Sequence, residues 1–497
     1  MASPMDPVRA VSLGALLPRQ AMALADIPVQ GLQVDSRLLR AADVFLAVPG
    51  ELHDGRDYLA AAAAAGVAAI VAETGLTDQQ RAAAGEVPLL EVDGLSAQLG
   101  VIAARFYNFP SAHMHLVGIT GTNGKTTTSR LLAQLLRHQF HTCGVIGTLG
   151  ATLADDVVEA VNTTPDALNL QAQLAQWRSE EVAHAVLEVS SHSLVQGRVN
   201  ALEFDTAVFT NLTHDHLDYH GDMASYGLAK SRLFQARGLG TAVLNLDDPY
   251  AEILQSLLDP AIKVIGYSVA GKSAAVRAHD IHYHHSGLEA RIDTPWGAGL
   301  LRSPLAGDFN LSNLLAALSA ACIAGMPFEK ILQLAPTLRG IAGRMQYIAN
   351  DRGLQLVVDY AHTPDALQQA LSALRAHVEG ELICVFGCGG DRDADKRPLM
   401  GRIATQNSDQ VIITSDNPRG ESPLAIIEDI ERGITGPVEI EPNRAAAIAL
   451  AVARAVPGDC VLVAGKGHEP YQQIGTQRLP FSDADQLRLA AIAGGAA

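Results

Sequence analysis

His115-Leu-Val-Gly-Ile-Thr120 runs directly into Gly121-Thr-Asn-Gly-Lys125-Thr126-Thr127, and the segment after it places Leu131, Leu132, Leu135 and Leu136 on one side of a helix. An apolar strand, a glycine-bearing turn, Lys-Thr and a helix start make the grammar of a phosphate-binding loop. Glycines let backbone N–H groups approach phosphate oxygens, the lysine offsets their charge, and a threonine hydroxyl can hold Mg²⁺. The usual spacing would put glycine at 119, where the chain has Ile119, so Gly121 and Gly124 define a shortened Gly-x-x-Gly-Lys-Thr form. A glycine-rich turn that only caps a helix is the structural alternative. An ATP-using protein is the reading this segment favours.

Working outward, 497 residues exceed one ordinary domain and suggest about three. Hydrophobic residues at 48% and charged ones at 18% supply several packed cores. A net charge of −17 argues against a nucleic-acid partner, since a surface that tracks phosphates needs a basic excess. Cys143, Cys322, Cys384, Cys388 and Cys460 have no paired spacing, so buried free thiols are expected. The N-terminus lacks a basic segment leading into an apolar core, and the apolar run Tyr58 to Ala72 is broken by Gly66 and too short to span a bilayer. It reads as an Ala-rich helix followed by a short strand, and the protein is expected to be soluble and cytoplasmic.

Residues 1–112 alternate strand and helix signals up to a break at Tyr107-Asn-Phe-Pro-Ser111. The phosphate loop opens a second region, 113–342, which ends at a hinge-like Leu338-Arg-Gly-Ile-Ala-Gly-Arg344. The third region, 343–497, holds four apolar runs that each end in a polar or glycine-bearing loop: Leu354–Val358, Leu382–Phe386, Val411–Thr414 and Cys460–Ala464. Helical patterns separate them, which predicts a βαβ series with a parallel sheet. Loops at the carboxyl ends of such strands converge on one crevice. Here they carry Asp359, Arg392, Asn417, Arg419 and Glu469, too polar a set for plain turns. Arg392 stands where a third glycine would be needed for a dinucleotide fingerprint, so such a site is not expected.

Three further stretches bear on chemistry. Ala185-Val-Leu-Glu188 is a strand that delivers an acid able to complete Mg²⁺ coordination beside a nucleotide. Thr210-Asn-Leu-Thr-His-Asp215-His216-Leu-Asp218-Tyr-His220 is dense in ligand types, with His216 favoured for a metal or phosphate role over a solvated turn. Lys230 falls in a helical pattern, where composition alone makes an exposed lysine the default. The tract Ile281-His-Tyr-His-His285 lacks an acid or cysteine partner and reads as a solvated strand edge.

Taken in order, Asp35-Ser36-Arg37, Gly121–Thr127, Asn162–Asp166, Glu188–His192, Gln196-Gly-Arg198, Asp215-His216-Leu-Asp218, Lys230, Gly307–Asn313, Gly343-Arg344, Asp359–His362, Asp416–Arg419 and Gly465–Glu469 resemble the Mur ligase family of ATP-dependent peptidoglycan-precursor ligases. Each motif is weak by itself, but their conjunction over nearly the whole chain is specific, and the shortened loop is the family's own form. The resemblance implies an α/β protein of three domains: an N-terminal one for the UDP end, a central ATPase with a mainly parallel sheet, and a Rossmann-like C-terminal one that binds an amino acid. It implies that meso-diaminopimelate is joined to UDP-N-acetylmuramoyl-L-alanyl-D-glutamate through an acyl phosphate, with ATP as co-substrate and Mg²⁺ as cofactor. A lysine-adding relative, a folylpolyglutamate-type ligase and a nucleotide-driven switch are the alternatives.

Carried over residue by residue, Gly121, Thr122, Asn123, Gly124, Lys125, Thr126, Thr127, Asn313, Arg344 and Asp359 would bind ATP. Ser36, Thr163, Thr164, Ser190, Gln196 and Arg198 would bind the muramoyl dipeptide, with the turn Glu51-Leu-His53 also at the uridine. Thr126, Glu188, His216 and a carbamylated Lys230 would organise the metal, and Lys125 would act with them in catalysis. Arg392, Asp416, Asn417, Pro418, Arg419, Gly465 and Glu469 would hold diaminopimelate. The expected partners are these small molecules, with no nucleic acid and no membrane insertion, and the protein is expected to be a monomer.

Overall fold

The strand His115–Thr120 lies near the middle of an eleven-stranded sheet, between His184–Glu188 and Thr206–Phe209. Gly144–Gly147 extends the parallel set on one side, and Thr241–Asn245 and Lys263–Ser268 extend it on the other. These strands are apolar through their length because helices cover both faces, as parallel sheets require. The computed structural model describes residues 11–50, 53–153, 156–158, 162–284, 287–305, 307–375 and 377–493.

The helix Lys125–Phe140 buries Leu131, Leu132, Leu135 and Leu136, the side predicted from spacing. It packs against Asp308–Ile323, a helix with twelve of its sixteen residues buried. Beyond the parallel strands the sheet ends in antiparallel ribbons. Val276–His284 pairs with Gly287–Thr294, which pairs with Gly297–Ser303. Only Val276 and Arg277 of that strand pair with Lys263–Ser268, and past a bulge at Asp280 (φ 48°) between His279 and His282 the histidine tract pairs on one side alone, which agrees with its reading as a strand edge. His282 is exposed, while the Tyr283 hydroxyl donates to Asp308. His285 lies outside the described residues.

N-terminal to this sheet, Gly31–Gln33, Asp43–Ala47, Ala69–Glu73 and Leu89–Val92 form a four-stranded parallel sheet in sequence order. The Ala-rich run is the helix Leu59–Ala64 followed, past Gly66, by the strand Ala69–Glu73. C-terminally, six strands pair in the order Gln346–Ile348, Gln355–Asp359, Cys460–Ala464, Leu382–Phe386, Gln410–Ile413 and Glu439–Ile440. All pairs but the first are parallel, so the four predicted runs do form one parallel sheet. All five cysteines are buried and free.

Arg444 and Asp483 tie this C-terminal sheet together. Both side chains are fully buried, and Nε and Nη2 of Arg444 donate to Oδ1 and Oδ2 of Asp483 at 2.7 and 2.8 Å. The same guanidinium donates to the carbonyls of Ser415 and Ala464, at the ends of two neighbouring loops. Asp483→Ala would leave a buried cation without its counter-ion, a loss of about 3–5 kcal/mol. Chemical denaturation should register that drop, and Arg444→Met combined with Asp483→Leu should recover much of it.

Candidate active site

The phosphate loop takes its shape from two glycines. Gly121 (φ 151°) abuts the Thr210 hydroxyl, and Gly124 (φ 84°) abuts the Asn313 amide, so a Cβ at either position would collide. Lys125, the first residue of its helix, folds its ammonium onto the loop and donates to the carbonyls of Gly121 and Thr122, both at 2.8 Å. Burial drives its pKa down, opposed by the charges of Glu188 and Asp215.

Lys230 overturns the expectation from composition. It is 1% exposed, it donates to the same Gly121 carbonyl at 2.9 Å, and its ammonium lies 4.2 Å from the centre of the Tyr226 ring. Burial, then repulsion from Lys125, pushes its pKa well below the ordinary lysine value. The signal was present in the sequence: the helix Met223–Ser231 buries Tyr226, Ala229 and Lys230, so Lys230 shares the inward face with Tyr226 at i+4.

Glu188 ends its strand fully buried beneath the loop. Its carboxylate accepts from Thr126 Oγ1 at 2.8 Å, Thr148 Oγ1 at 3.0 Å and Ser129 Oγ at 3.3 Å. The peptide-channel candidates gather around it. Thr163 contacts Thr148 at 3.2 Å, Thr164 donates to the Glu188 carbonyl at 2.8 Å, and Ser190 receives Thr164 at 3.4 Å. Arg198 donates to the Thr164 carbonyl at 2.8 Å, and Gln196 reaches the Tyr219 hydroxyl at 3.4 Å. Ser36 lies in the N-terminal domain, in the short turn Ser36–Leu38 capped by Asp35. Glu51 and Leu52 lie outside the described residues.

His216 adopts a left-handed backbone (φ 54°) and faces Asp215 at 3.4 Å and the His192 ring at 4.9 Å. Burial lowers its pKa more than Asp215 raises it. Asp215 was not singled out by sequence reasoning, yet it is a hub. Burial alone would raise its pKa, but His216, His362, Lys396 and Lys125 together hold it below the usual carboxylate range.

The nucleotide candidates come together between the central and C-terminal sheets. Asn123, Gly124, Thr127, Asn313, Arg344 and Asp359 line one narrow crevice. Arg344 lies over the Tyr360 ring at 4.3 Å, and Asp359 accepts from the Met345 amide at 2.7 Å. A cavity of about 530 Å³ adjoins it, with Asn123, Asp247, Asp308, Phe309 and Asp365 in its wall. Sequence reasoning gave no sign of that cavity, since its residues come from seven separate segments.

The diaminopimelate candidates form a second cluster. Asn417 Nδ2 donates to Glu469 Oε2 at 2.7 Å, and the fully buried Lys466 donates to Asn417 Oδ1 at 2.9 Å and to Glu469 at 3.1 Å. Gly465 leaves room for the Asp416 carboxylate, which burial keeps above its ordinary pKa. Pro418 precedes Arg419, whose backbone is left-handed (φ 49°) and whose Nη1 donates to the Gly390 carbonyl at 2.8 Å. Among the described residues the rest of that guanidinium has no acceptor. Arg392 is exposed across Gly389 and donates only to the carbonyl of Asp391, its neighbour in the chain. Lys466 is the functional residue the sequence reading passed over here.

Family models match all three regions: the Mur ligase family catalytic domain over 28–107, the Mur ligase middle domain over 119–321, and the Mur ligase glutamate ligase domain over 343–467. The chain is 46% identical over 485 residues to a UDP-N-acetylmuramoyl-L-alanyl-D-glutamate–2,6-diaminopimelate ligase of Coxiella burnetii, covering 96% of this chain and 99% of the relative. The chain belongs to the Mur ligase family. A Pseudomonas aeruginosa Mur ligase of the same name is 47% identical, with 97% and 98% of the two chains covered. A solved structure of a ligase of that name superposes with a TM-score of 0.72 at 37% identity, over 98% of this Mur ligase and all of that chain. Among the described residues, no helix is long and apolar enough to cross a membrane.

Burial holds His362 and His468 at about 4, so both are neutral at pH 7. In the unfolded chain they protonate near the ordinary value of about 6.5. The unfolded state therefore takes up more protons between those values, and stability falls as pH is lowered from about 6.5 towards 4. Denaturation midpoints measured across that range should decline, and His362→Gln should make the decline shallower.

Proposed function

We propose that this Mur ligase joins meso-diaminopimelate to UDP-N-acetylmuramoyl-L-alanyl-D-glutamate at the expense of ATP, in the cytoplasm, with domains bounded near residues 112 and 342. The observation that supports the reading is a pair of polar centres joined through Tyr360: Arg344, which lines the crevice of the phosphate loop, lies over the Tyr360 ring, and the Tyr360 hydroxyl reaches Glu469 of the Asn417–Arg419–Glu469 cluster at 3.5 Å. Activation of one carboxylate and capture by one amine need both.

The residues present suit Mg²⁺. Thr126 and Glu188 are hard oxygen donors hydrogen-bonded at 2.8 Å, and among the described residues no cluster of three His, Cys, Asp or Glu would bind a metal unaided. Mg²⁺ takes few protein ligands and fills its shell with water and phosphate oxygens. Thr126, Glu188, the neutral imidazole of His216 and Lys230 as a carbamate would hold it, and when bound it would offset phosphate charge. Carbamylation needs a neutral amine, and burial with repulsion from Lys125 shifts Lys230 towards that state.

The chain's own residues then do the following. Asn123, Gly124, Asn313, Arg344 and Asp359 hold the nucleotide, and Lys125 leaves its loop carbonyls for the terminal phosphate. The side-chain carboxylate of the D-glutamyl residue, guided by Thr163, Thr164, Ser190, Gln196 and Arg198, attacks that phosphorus and ADP departs. The amine of the incoming amino acid attacks the acyl phosphate, which gives an amide and releases phosphate. The covering C-terminal domain excludes water from the intermediate.

Amino-acid choice rests on Arg419. Lysine and meso-diaminopimelate differ by one distal carboxylate, and an arginine fork binds a carboxylate bidentately. With lysine bound, the fork stays half-buried and unpaired, and discrimination of this kind reaches about 10⁴-fold.

An amide-forming assay with ATP, Mg²⁺, the UDP-muramoyl dipeptide and a panel of diamino acids tests the proposal. ADP release should require both acceptor and amino acid, and use of L-lysine as readily as diaminopimelate would defeat the assignment. Arg419→Ala and Arg419→Lys should lose the preference. Lys230→Ala should lose most activity yet still bind ATP, with partial rescue by short carboxylic acids; undiminished turnover in that variant would remove Lys230 from the mechanism.

A further inference from the structure

The phosphate loop is tied directly to the C-terminal domain. Asn123, which sits between the two loop glycines, donates from Nδ2 to Oδ2 of Asp365 at 3.1 Å. The backbone of Asn123 is held from its own domain. Its N–H donates to Asn211 Oδ1 at 2.8 Å, and its carbonyl accepts from Thr210 Oγ1 at 2.6 Å and Asn211 Nδ2 at 3.1 Å. The side chain reaches outward instead, to an acceptor that is already fixed: Gln369 Nε2, one turn along the helix Pro364–Arg375, donates to Oδ1 and Oδ2 of Asp365 at 3.1 and 3.0 Å. An acceptor held in advance loses little freedom when the bond forms. Asn123 and Asp365 also share the wall of the cavity beside the nucleotide crevice.

The helix that carries Asp365 is seated on the central domain by packing. Phe309, near the start of the helix Asp308–Ile323, packs against the C-terminal core that holds Leu367, Ala370 and Leu371. Beside it, a Cβ on Gly307 (φ 84°) would meet the Ala373 methyl at 2.6 Å, so the two domains approach too closely there for any side chain. Asn313 lies one turn on from Phe309 and abuts Gly124 of the loop. One helix therefore meets the C-terminal domain at Phe309 and the phosphate loop at Asn313, and the Asn123–Asp365 bond joins those two neighbours directly. Glycines at 121 and 124 leave the loop free to change shape, so an anchor on the residue between them selects the shape it keeps.

We propose that Asp365 is a positioning residue, which holds Asn123 and with it the stretch from Gly121 to Gly124 in the shape that receives the nucleotide's phosphates. The inference rests on the ligase reading given above. Asp365 makes no bond to phosphate, since an anion would repel one; it acts through the Asn123 amide. Because Asp365 belongs to the C-terminal domain, the loop is fixed when that domain is seated. The domain that carries the proposed amino-acid site thereby tightens the grip on ATP.

A double-mutant cycle on the full-length chain tests this, with the affinity of a non-hydrolysable ATP analogue read by calorimetry and amide formation followed alongside. Asp365→Ala should weaken the analogue about tenfold, as loss of a hydrogen bond to a charged group does, yet change it by less than about twofold in an Asn123→Ala background. Asp365→Asn keeps an acceptor oxygen and should recover most of the loss. In amide formation the KM of ATP should rise in step, while the KM of the amino acid stays unchanged. An equal effect of Asp365→Ala in both backgrounds would assign it to folding or to general charge and overturn the proposal. So would no loss in the wild-type background, or no recovery in Asp365→Asn. If the wild-type chain forms no amide, the ligase reading fails, and the binding cycle still decides for or against Asp365.

Discussion

The carbonyl oxygen of Gly121 accepts hydrogen bonds from two buried ammonium groups, those of Lys125 and Lys230. Two like charges in a low-dielectric pocket repel strongly, and a single peptide dipole offsets only part of that. The tension has two outlets. Loss of a proton is one, and burial with repulsion from Lys125 favours it at Lys230; the approach of an anion that draws an ammonium off the carbonyl is the other. Glu188 relieves the tension at Lys125 through its charge alone, because its oxygens already accept from Thr126, Ser129 and Thr148. The loop thus carries more positive charge than its own acceptors offset, and the surrounding sheet positions its walls.

Much of the fold was legible because parallel strands covered on both faces are written as short, uninterrupted apolar runs. Leu382–Phe386 and Cys460–Ala464 appear in the structure with the limits read from the sequence, and the other two C-terminal runs shift by one residue. Strand order was not legible. Nothing local places Cys460–Ala464 between Gln355–Asp359 and Leu382–Phe386, because pairing partners are chosen by packing over a hundred residues of chain. The histidine tract was legible because its alternation marks a strand with one wet face: it pairs on one side, and His282 is exposed.

Within the site, the residues visible in advance were those whose chemistry is local: the loop glycines, Lys125, Thr126 and the acid at a strand's end. Asp215 and Lys466, quoted within motifs but given no role of their own, are ordinary charged residues until tertiary packing buries them. Lys230 falls between the two groups. Its type argued for solvent, while its helical phase relative to Tyr226 and Ala229 argued for the interior, and the phase prevailed. Charge is a poor guide to exposure where a cleft must hold several anions.

The insertion of Cys460–Ala464 into the middle of the C-terminal sheet also governs the order in which this chain can acquire its structure. Until that strand leaves the ribosome, Gln355–Asp359 and Leu382–Phe386 each present an open edge to solvent, more than seventy residues after the second of them was made. Open apolar edges recruit foreign strands. The nascent domain therefore passes through a long interval of exposure, ended by the strand itself and then locked when the following helix delivers Asp483 to Arg444. A protein truncated shortly before residue 460 would lack the piece that closes the sheet, and aggregation would be its fate.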